Sequence, residues 1–451
     1  MSLQDKTIRE GQTMGETVKR TRVRYLILAI LFVVTAINYI DRSALSIAAP
    51  VMKEDLALDA VALGFAFSAF NWAYTFMQIP SGWLLDRFGT RLVYGIGLFT
   101  WSLFTGLQGL VTGFAMLFLF RFIVGLAEAP SFPGNSRLTT MWFPTNERGK
   151  AVATYNSSQY FGLALFTPVL ASLLNVYGWP AIFYVAGGMG IILTFVWFKL
   201  IHDPKRHPLA NQKELEYIEQ SGALVDASEQ KSPIKWSHAR LLLTNRQMIG
   251  IYIAQFSLNT IVWFFLTWLP TYLVQEKHLS ILKAGFVTSL TYAAAFLGGI
   301  LAGYWSDSML KRGKSLAVAR KTPIIIGFLL SSCILLANYT NSPALIVLIL
   351  CVSFFAKGMA GLTWTLVGDM SPKEIIGLSA GIFNTSGNLA GIVTPIVVGF
   401  ILEHTHSFSY ALLFIGVVLL IGALSYMFIV NKVERLQLPH EQGQTAKSVN
   451  A

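Results

Sequence analysis

Uncharged apolar runs recur along the whole chain, and they constrain its fold more than any other feature of the sequence. Each run is long enough to cross a bilayer as a helix, which takes about 20 residues. Only 13% of the residues are charged and 54% are hydrophobic, whereas soluble domains carry about 25% charged residues. Lipid cannot hydrogen-bond the backbone, and the sequence lacks the short alternating segments of a transmembrane barrel. We therefore predict an all-α membrane protein.

The apolar runs predict twelve membrane spans. They lie approximately at residues 25–50, 61–84, 91–111, 113–136, 150–175, 180–200, 248–274, 284–306, 322–340, 344–369, 376–402 and 407–430. The longest polar stretch separates the sixth span from the seventh. The predicted organisation is therefore a cytoplasmic tail (1–24), a six-helix half (25–200), a cytoplasmic linker (201–247), a second six-helix half (248–430) and a second cytoplasmic tail (431–451).

An internal repeat supports two halves of similar fold. With an offset of 228 residues, four residues of the first half match identical residues of the second half: Pro144 with Pro372, Gly149 with Gly377, Asn156 with Asn384 and Ser158 with Ser386. Two parallel repeats of six helices are the architecture of major facilitator transporters. We therefore expect the two halves to be related by pseudo-symmetry.

Lysine and arginine indicate the orientation of the chain. They concentrate before the first span and in the connections after the second, fourth and eighth spans, whereas opposite connections such as 110–113 and 340–343 are short and uncharged. Basic loops stay in the cytoplasm, so both termini are expected there. The same topology explains the net charge of +11 without a nucleic-acid partner.

Other kinds of site find no support in the sequence. The seven histidines show no metal-ligand spacing, and neither a phosphate-binding Gly-Lys-Ser/Thr loop nor a Ser-His-Asp pattern stands out. Cys333 and Cys351 lie in apolar runs and suit packing. We therefore expect a protein that is not an enzyme and that uses no metal or cofactor.

Five charged side chains lie well inside the predicted spans: Asp41, Arg42, Arg121, Glu128 and Lys357. One charge at the centre of a membrane helix costs about 2.5–3.5 kcal/mol, so these residues indicate a task in a wet cavity. Arg121 and Glu128 are seven residues apart and share one helix face. The alternative for that pair is a structural ion pair between helices. The desolvation cost of a buried ion pair, however, often offsets its electrostatic attraction, so such pairs are poor stabilisers.

We assign the carboxylates to proton coupling and the cations to the substrate. A carboxylate beside an arginine stays ionised, and one left alone in apolar surroundings is more easily protonated. An exchange of partners among Asp41, Glu128 and Arg121 would therefore couple proton binding to substrate binding. Arg42 is the first choice for a substrate carboxylate, because its fork binds both oxygens. Arg121 is the second choice, since Asp41 or Glu128 could occupy it.

Lys357 is the charged exception in the second half. It precedes Trp364 by seven residues, so the two would share a stripe and face the cavity together. An organic anion with a carboxylate at each end needs two cations, and for such a substrate we expect Arg42 to bind one end and Lys357 the other. Alternatively, Lys357 snorkels or pairs with a carbonyl. Neutral polar groups of the second half suit a polyhydroxylated substrate or, alternatively, interhelical hydrogen bonds: Gln255, Asn259, Thr363, Trp364, Asn384 and Asn388.

A similar pattern of glycine and charge follows the second span of each half. It is Gly82-x-x-x-Asp86-Arg87-x-Gly89-x-Arg91 in the first half and the partial copy Gly303-x-x-x-Asp307 in the second. The first resembles the loop motif of major facilitator transporters. Its glycines allow a tight turn and close helix approach. Asp86 is expected to stabilise a neighbouring helix N-terminus or to pair with a base across the halves. By itself the pattern could also be a cytoplasmic turn with topology charges.

Further patterns narrow the resemblance to the anion:cation symporter family: Asn38-Tyr39-Ile40-Asp41-Arg42, Gly125-Leu126-Ala127-Glu128-Ala129-Pro130, Trp142-Phe143-Pro144-x-x-Glu147-Arg148-Gly149 and Ala319-Arg320-Lys321-Thr322-Pro323. Over about residues 22–435 the chain is most similar to the bacterial glucarate, galactarate and galactonate transporters. The resemblance implies proton-coupled uptake of an organic anion. It also implies a cavity lined by Tyr39, Tyr74, Gln159, Gln255, Thr363, Trp364 and Asn384.

We therefore predict a proton-coupled symporter that imports an aldarate, glucarate or galactarate, by alternating access. The expected setting is the bacterial inner membrane, and the expected state is a monomer. Alternative substrates in the same family are an aldonate such as galactonate, or a hexuronate. Two rivals come from other classes, a non-transporting membrane anion sensor and a passive channel. The linker is short for a signalling domain, and buried acid and base groups favour coupling over a pore.

Overall fold

The computed structural model describes residues 20–223, 236–372, 375–431 and 433–437. Most of the predicted tail (1–19), part of the linker (224–235) and the end of the chain (438–451) lie outside the described residues. Within these ranges the chain is helical and contains no strand. The predicted all-α class is confirmed.

Seven helices build the first half. They are α1 (Val23–Asp55), α2 (Ala60–Phe88), α3 (Thr90–Leu107), α4 (Phe114–Glu128), α5 (Ser131–Trp142), α6 (Thr145–Tyr177) and α7 (Trp179–Leu200). A 3-10 turn, Gln108–Leu110, continues α3. α4 and α5 together form one candidate span, Phe114–Trp142.

The linker and the second half are also helical. The linker holds a 3-10 turn (Pro204–Arg206) and α8 (Gln212–Gln220). The main helices of the second half are α9 (Trp236–Thr244), α10 (Arg246–Thr267), α11 (Ile281–Lys311), α12 (Leu316–Ser331), α13 (Pro343–Ala360), α14 (Thr363–Met370), α15 (Ile376–Thr405) and α16 (Phe408–Leu424). Shorter segments lie beside three of them: a turn of helix (Leu269–Thr271) and a π-helix (Tyr272–Glu276) after α10, a 3-10 helix (Ser332–Tyr339) after α12, and a π-helix (Ser425–Ile429) after α16.

Eleven helical segments in the described part of the chain are long and apolar enough to cross a membrane, one fewer than the twelve predicted. The difference is α3, which covers the predicted span at 91–111. It has 18 residues, and Arg91 and several glycine, serine and threonine residues dilute its apolar content. α3 still packs lengthwise against α4 and α7, and its Leu98 and Trp101 are fully buried.

Two spans break at matching places in the two halves. α4 ends at Glu128, and a turn at Ala129 and Pro130 leads into α5. α13 ends three residues after Lys357, and a turn at Gly361 leads into α14. Proline disrupts a membrane helix, and freed backbone groups are tolerated where protein surrounds them or a cavity wets them. The breaks therefore bring a charged side chain close to a helix end within the bundle.

The halves touch at the ends of α2, α6, α11 and α15 that lie away from the linker, here called the far side. Gly64 of α2 leaves no room for a side chain against the α15 backbone. The Asn71 amide donates to the Gly391 carbonyl at 3.1 Å, and the Ser289 hydroxyl donates to the Ala164 carbonyl. Small residues let helix backbones approach closely. The far side is therefore the closed end of the bundle.

The linker is fastened to the first half through Glu214 of α8. This carboxylate is fully buried and accepts hydrogen bonds from the Val23 amide at 2.9 Å and the Thr21 hydroxyl at 2.7 Å. Arg24 forms ion pairs with Glu214 at 3.2 Å and Glu147 at 3.0 Å. A carboxylate at a helix N-terminus satisfies free N–H groups and favours the helix dipole. The linker as far as α8 therefore belongs structurally to the first half.

Candidate functional site

An ion pair between α1 and α4 is the centre of the site. Arg42 Nη2 lies 2.5 Å from Glu128 Oε1, and Arg42 Nε donates to the same oxygen at 2.6 Å. Glu128 is fully buried and Arg42 is 7% exposed. Glu128 also ends α4, where the negative end of the helix dipole disfavours a carboxylate. Removing either partner would leave a buried charge alone, so the two side chains depend on each other.

Aromatic rings surround the Arg42 guanidinium. Its Cζ lies 4.8 Å from the ring centroid of Tyr39, 4.6 Å from that of Phe70 and 5.0 Å from that of Tyr74. Such rings attract a cation through their electron-rich faces. The structure thus brings together three of the predicted substrate-binding residues, Arg42, Tyr39 and Tyr74. Phe70 is a further ring of this site, and nothing in its apolar stretch of sequence distinguishes it from its neighbours.

Asp41 lies beside this pair but makes no equivalent bond. Both of its carboxylate oxygens are buried and accept no hydrogen bond. Arg121, Glu128 and Arg42 act on it electrostatically, and Arg121 Nη1 reaches only the Asp41 backbone carbonyl, at 3.5 Å. Neighbouring residues on a helix point about 100° apart, so Asp41 and Arg42 present their side chains to different surroundings.

The arginine that pairs with a carboxylate in the structure is not the one that the sequence favours. We expected Arg121 to be the arginine occupied by a carboxylate and Arg42 to be the one open to substrate. In the structure Arg42 holds Glu128, while the Nε of buried Arg121 has no hydrogen-bond partner. The reason is the register of α1 on α4, which sequence spacing within one helix does not reveal. The four charges are nevertheless gathered in one place, as the sequence predicts.

Lys357 joins the two halves. Its Nζ donates to the Tyr160 hydroxyl on α6 at 2.7 Å and lies 5.5 Å from the Phe354 ring. The side chain is 9% exposed. Sequence reasoning missed Tyr160, although its neighbour Gln159 was predicted to line the cavity. A tyrosine beside a predicted lining residue in a candidate span was the available signal.

The expected stripe of Lys357 and Trp364 crosses an interruption in the hydrogen-bonded helix. α13 ends at Ala360 and α14 begins at Thr363, and Gly361 and Leu362 between them keep right-handed helical dihedral angles. The shared face stays a prediction. Trp364 is 48% exposed and packs edge-on against Phe383 at 4.7 Å. Thr363, in contrast, is fully buried and donates to the Ala360 carbonyl at 2.7 Å.

The remaining predicted lining residues are amides. Gln255 on α10 is buried, and its Oε1 has no hydrogen-bond partner. The Gln159 amide donates to the Asn156 carbonyl of its own helix at 2.8 Å. Asn384 is half-buried on α15. Gln255 therefore holds a buried carbonyl oxygen that has no partner in this conformation.

The loop motif joins helices of the first half. Asp86 Oδ1 lies 2.8 Å from Nη1 of Arg137 on α5, a base of the same half. Arg91 donates to the Phe198 carbonyl at 2.5 Å. Gly89 has φ +85°, a conformation that other residues rarely adopt. The motif therefore ties α2 to α5 and α7.

In the partial copy of the second half, the aspartate and the arginine lie on consecutive helices, α11 and α12. Arg320 lies 3.5 Å from Asp307 and 3.1 Å from Asp369 on α14. The two motifs thus serve corresponding helices of the two halves. Gly82 and Gly303 both lie where an added Cβ would meet nothing within 4 Å. Arg87, the remaining member, lies 5.5 Å from the Trp83 ring.

The chain is similar to known transporters, and a family model matches it. The model of the Major Facilitator Superfamily matches residues 31–320 and 314–450. A protein named "Probable galactarate/D-glucarate transporter GarP", from Escherichia coli strain K12, is 49% identical over 438 residues, covering 94% of this chain and 99% of that protein. A "D-galactonate transporter" from Escherichia coli O6:H1 is 44% identical over 423 residues, covering 93% and 98%. A bacterial homologue of the human lysosomal transporter Spinster, in an inward-facing and occupied crystal structure, has a TM-score of 0.75 at 16% identity, covering 91% and 97%.

Proposed function

Because the chain belongs to the major facilitator superfamily, we propose that it is a proton-coupled symporter that imports a sugar acid by alternating access. The preferred substrate is an aldarate, galactarate or D-glucarate, since a relative of that name is 49% identical over 94% of the chain. We place it in the bacterial inner membrane as a monomer, with the linker and both termini in the cytoplasm. The basic residues of the linker-side loops support this orientation.

One observation carries the proposal: Arg42, the best carboxylate binder of the site, is held by the buried Glu128. A proton arriving on Glu128 would cancel its charge and weaken the bond to Arg42. The guanidinium would then be free to bind a substrate carboxylate through both nitrogens. Loss of that proton would restore the ion pair and expel the acid. Proton binding and substrate binding therefore favour each other.

Asp41 would act as the second proton carrier. Its carboxylate is buried without a hydrogen bond, and an ionised group in that state is costly. Arg121 and Arg42 favour its charge and Glu128 opposes it. A change in the charge of Glu128 would therefore alter the proton affinity of Asp41. In this proposal the charges of Asp41, Glu128 and Arg121 depend on one another, and the three residues handle the protons together.

Lys357 would bind the second carboxylate of an aldarate. It lies in the half opposite to Arg42, with Tyr160 as its neutral partner. A hydroxyl satisfies one donor of the ammonium without neutralising its charge, so the cation remains available for an anion. The aldonate alternative rests on the relative named a D-galactonate transporter. An aldonate has one carboxylate and would use Arg42 alone.

The conformation would be open to the cytoplasm. Five hydrogen bonds join the halves among the described residues, and they fall in the far-side or central parts of the helices: Ala60–Glu403, Asn71–Gly391, Gln78–Asn388, Tyr160–Lys357 and Ala164–Ser289. If the linker side is cytoplasmic, this closure faces the outside. Rocking of the halves would then expose the site alternately.

Transport assays in proteoliposomes test the proposal. Labelled glucarate should accumulate when a pH gradient, acid outside, is imposed, and should exchange with unlabelled glucarate without a gradient. Competition by a panel of sugar monoacids and diacids ranks the substrates. A channel would dissipate a glucarate gradient without counterflow, and a sensor would move nothing. Galactonate competing better than any diacid would favour the aldonate alternative.

A further inference from the structure

A row of buried polar atoms on α3 has no hydrogen-bond partner. The atoms are Trp101 Nε1, Ser102 Oγ, Thr105 Oγ1 and the Oε1 of Gln108, which directly follows the helix. All four side chains are 1% exposed or less. Buried polar atoms in proteins are nearly always paired with protein or ordered water. Four unpaired atoms within eight residues therefore require an explanation.

Three of these residues follow one face of the helix. At 100° per residue, Trp101, Thr105 and Gln108 fall within about 60° of one another. At a rise of 1.5 Å per residue, they span about 10 Å along the axis. Trp101 acts on the Asp41 carboxylate, although the two form no aligned hydrogen bond. At the other end, Gln108 begins the turn that carries Leu110, which is 56% exposed on the far side. The stripe thus runs from Asp41 towards the far-side surface.

Helix packing alone does not account for the stripe. Two other buried threonines of the first half satisfy their hydroxyls within their own helix, since Thr139 donates to Asn135 at 2.7 Å and Thr194 donates to Gly190 at 2.9 Å, whereas Thr90 at the start of α3 also has no partner. Thr105 makes no such bond. An unsatisfied buried hydroxyl costs about 1–3 kcal/mol, so the apolar valine would be the better packing residue. The hydroxyl must then have another partner, and water is the one that fits.

We propose that the Trp101–Thr105–Gln108 stripe carries protons between the far side and Asp41 along ordered water molecules. The inference rests on the proposed role of Asp41 as a proton carrier. A proton would enter as hydronium near Gln108, pass along the waters and end on an Asp41 oxygen, leaving a neutral acid and water. No charged residue follows Arg91 on α3. The charges that act on Asp41 are Arg121 and Glu128 on α4 and its neighbour Arg42 on its own helix α1, and the two arginines disfavour a cation approaching from their side.

Two variants interrupt the stripe and one serves as a matched control. Thr105→Val removes the hydroxyl at nearly constant volume, and Gln108→Met removes the amide. Thr194→Val removes a buried hydroxyl of α7 that its own helix satisfies. Each protein is reconstituted, and two rates are measured: glucarate uptake driven by a pH gradient, and glucarate exchange at equal pH.

Gradient-driven uptake should fall about tenfold in Thr105→Val and Gln108→Met, within the range that a proton-transfer step contributes. Exchange should stay at the rate of Thr194→Val. The solvent deuterium isotope effect on uptake should rise, because proton delivery then limits the rate. Equal loss of uptake and exchange, or no loss beyond the control, would overturn the inference. Absence of gradient-driven uptake in the unmodified protein would instead overturn the proposed function, and the inference with it.

Discussion

Lys357 on α13 donates a hydrogen bond of 2.7 Å to the hydroxyl of Tyr160 on α6, so a cation of the second half is bound directly to the first half. The bond crosses the interface between the halves near the middle of both spans. A ligand that bound Lys357 would compete with or extend this contact. Under the proposed role of Lys357, substrate choice and the closing of the halves are linked at one side chain.

The charge of Lys357 should decide between diacids and monoacids. Lys357→Asn is expected to lower glucarate uptake about tenfold or more, since a hydrogen bond to a charged group is worth about 1.5–3 kcal/mol. Galactonate uptake should change little, because its single carboxylate would use Arg42. Initial rates for both acids in proteoliposomes measure the effect. Tyr160→Phe, which keeps the ammonium, should retain the preference for glucarate. Equal loss of both acids in Lys357→Asn would contradict the assignment.

Glu128→Gln should separate proton coupling from substrate exchange. The amide imitates the protonated acid and leaves Arg42 free for substrate, so gradient-driven accumulation is expected to disappear while counterflow continues. Glu128→Asp keeps a titratable group and should retain part of the accumulation. Labelled glucarate reports both activities in the same vesicles. Loss of exchange as well would assign Glu128 to folding or to substrate binding.

Glu214→Gln should destabilise the linker side of the first half. The fully buried carboxylate pairs with Arg24 and accepts amide hydrogen bonds at the start of α1. Weakening charge-assisted bonds is expected to lower the free energy of unfolding by about 1–3 kcal/mol. Thermal unfolding of the purified protein in detergent measures the change. Glu219→Gln, at an exposed position of the same helix, should behave like the unmodified protein. Indistinguishable melting of the two variants would refute the role given to Glu214.

Gly64→Val should open the far side. An added Cβ would lie 2.6 Å from the Pro395 carbonyl oxygen, so a larger side chain cannot fit between α2 and α15 in this conformation. With Cys333 and Cys351 replaced, a single cysteine at Ala60, which is 3% exposed, reports the closure. Its labelling by an impermeant maleimide should increase in Gly64→Val. Gly188→Val, at a position with nothing within 4 Å, should leave labelling unchanged. Unaltered labelling in Gly64→Val would contradict the far-side closure.

The fold followed from the sequence because its signals are local. Long uncharged runs and basic connections report on single segments, and Asp41, Arg42, Arg121, Glu128 and Lys357 stood out since charges are rare inside spans. The borderline case was α3, whose small residues such as Gly97 allow close packing against another helix. Its polar residues include the Trp101–Thr105–Gln108 stripe.

The pairing of side chains could not be predicted, because it depends on how helices rotate against one another. Asp41 and Arg42 are adjacent in the chain, yet Arg42 reaches Glu128 and Asp41 does not. Tyr160 meets Lys357 across nearly 200 positions of sequence. The turn at Gly361 between Lys357 and Trp364 is also not apparent from the residue spacing. Sequence therefore located the charged centre, and geometry was needed to assign partners.

The attachment of α8 moves the boundary between the two halves. Residues up to Gly222 bind the first half, because the Arg148 guanidinium and the Thr145 hydroxyl both donate to the Gly222 carbonyl, at 3.1 and 3.4 Å. α9 opens the second half. A chimera that exchanges halves between an aldarate and an aldonate transporter should therefore be joined within 224–235. A junction placed directly after α7 would take α1 from one transporter and the α8 that caps it from the other. Glu214 would then no longer face the helix N-terminus with which it forms its hydrogen bonds.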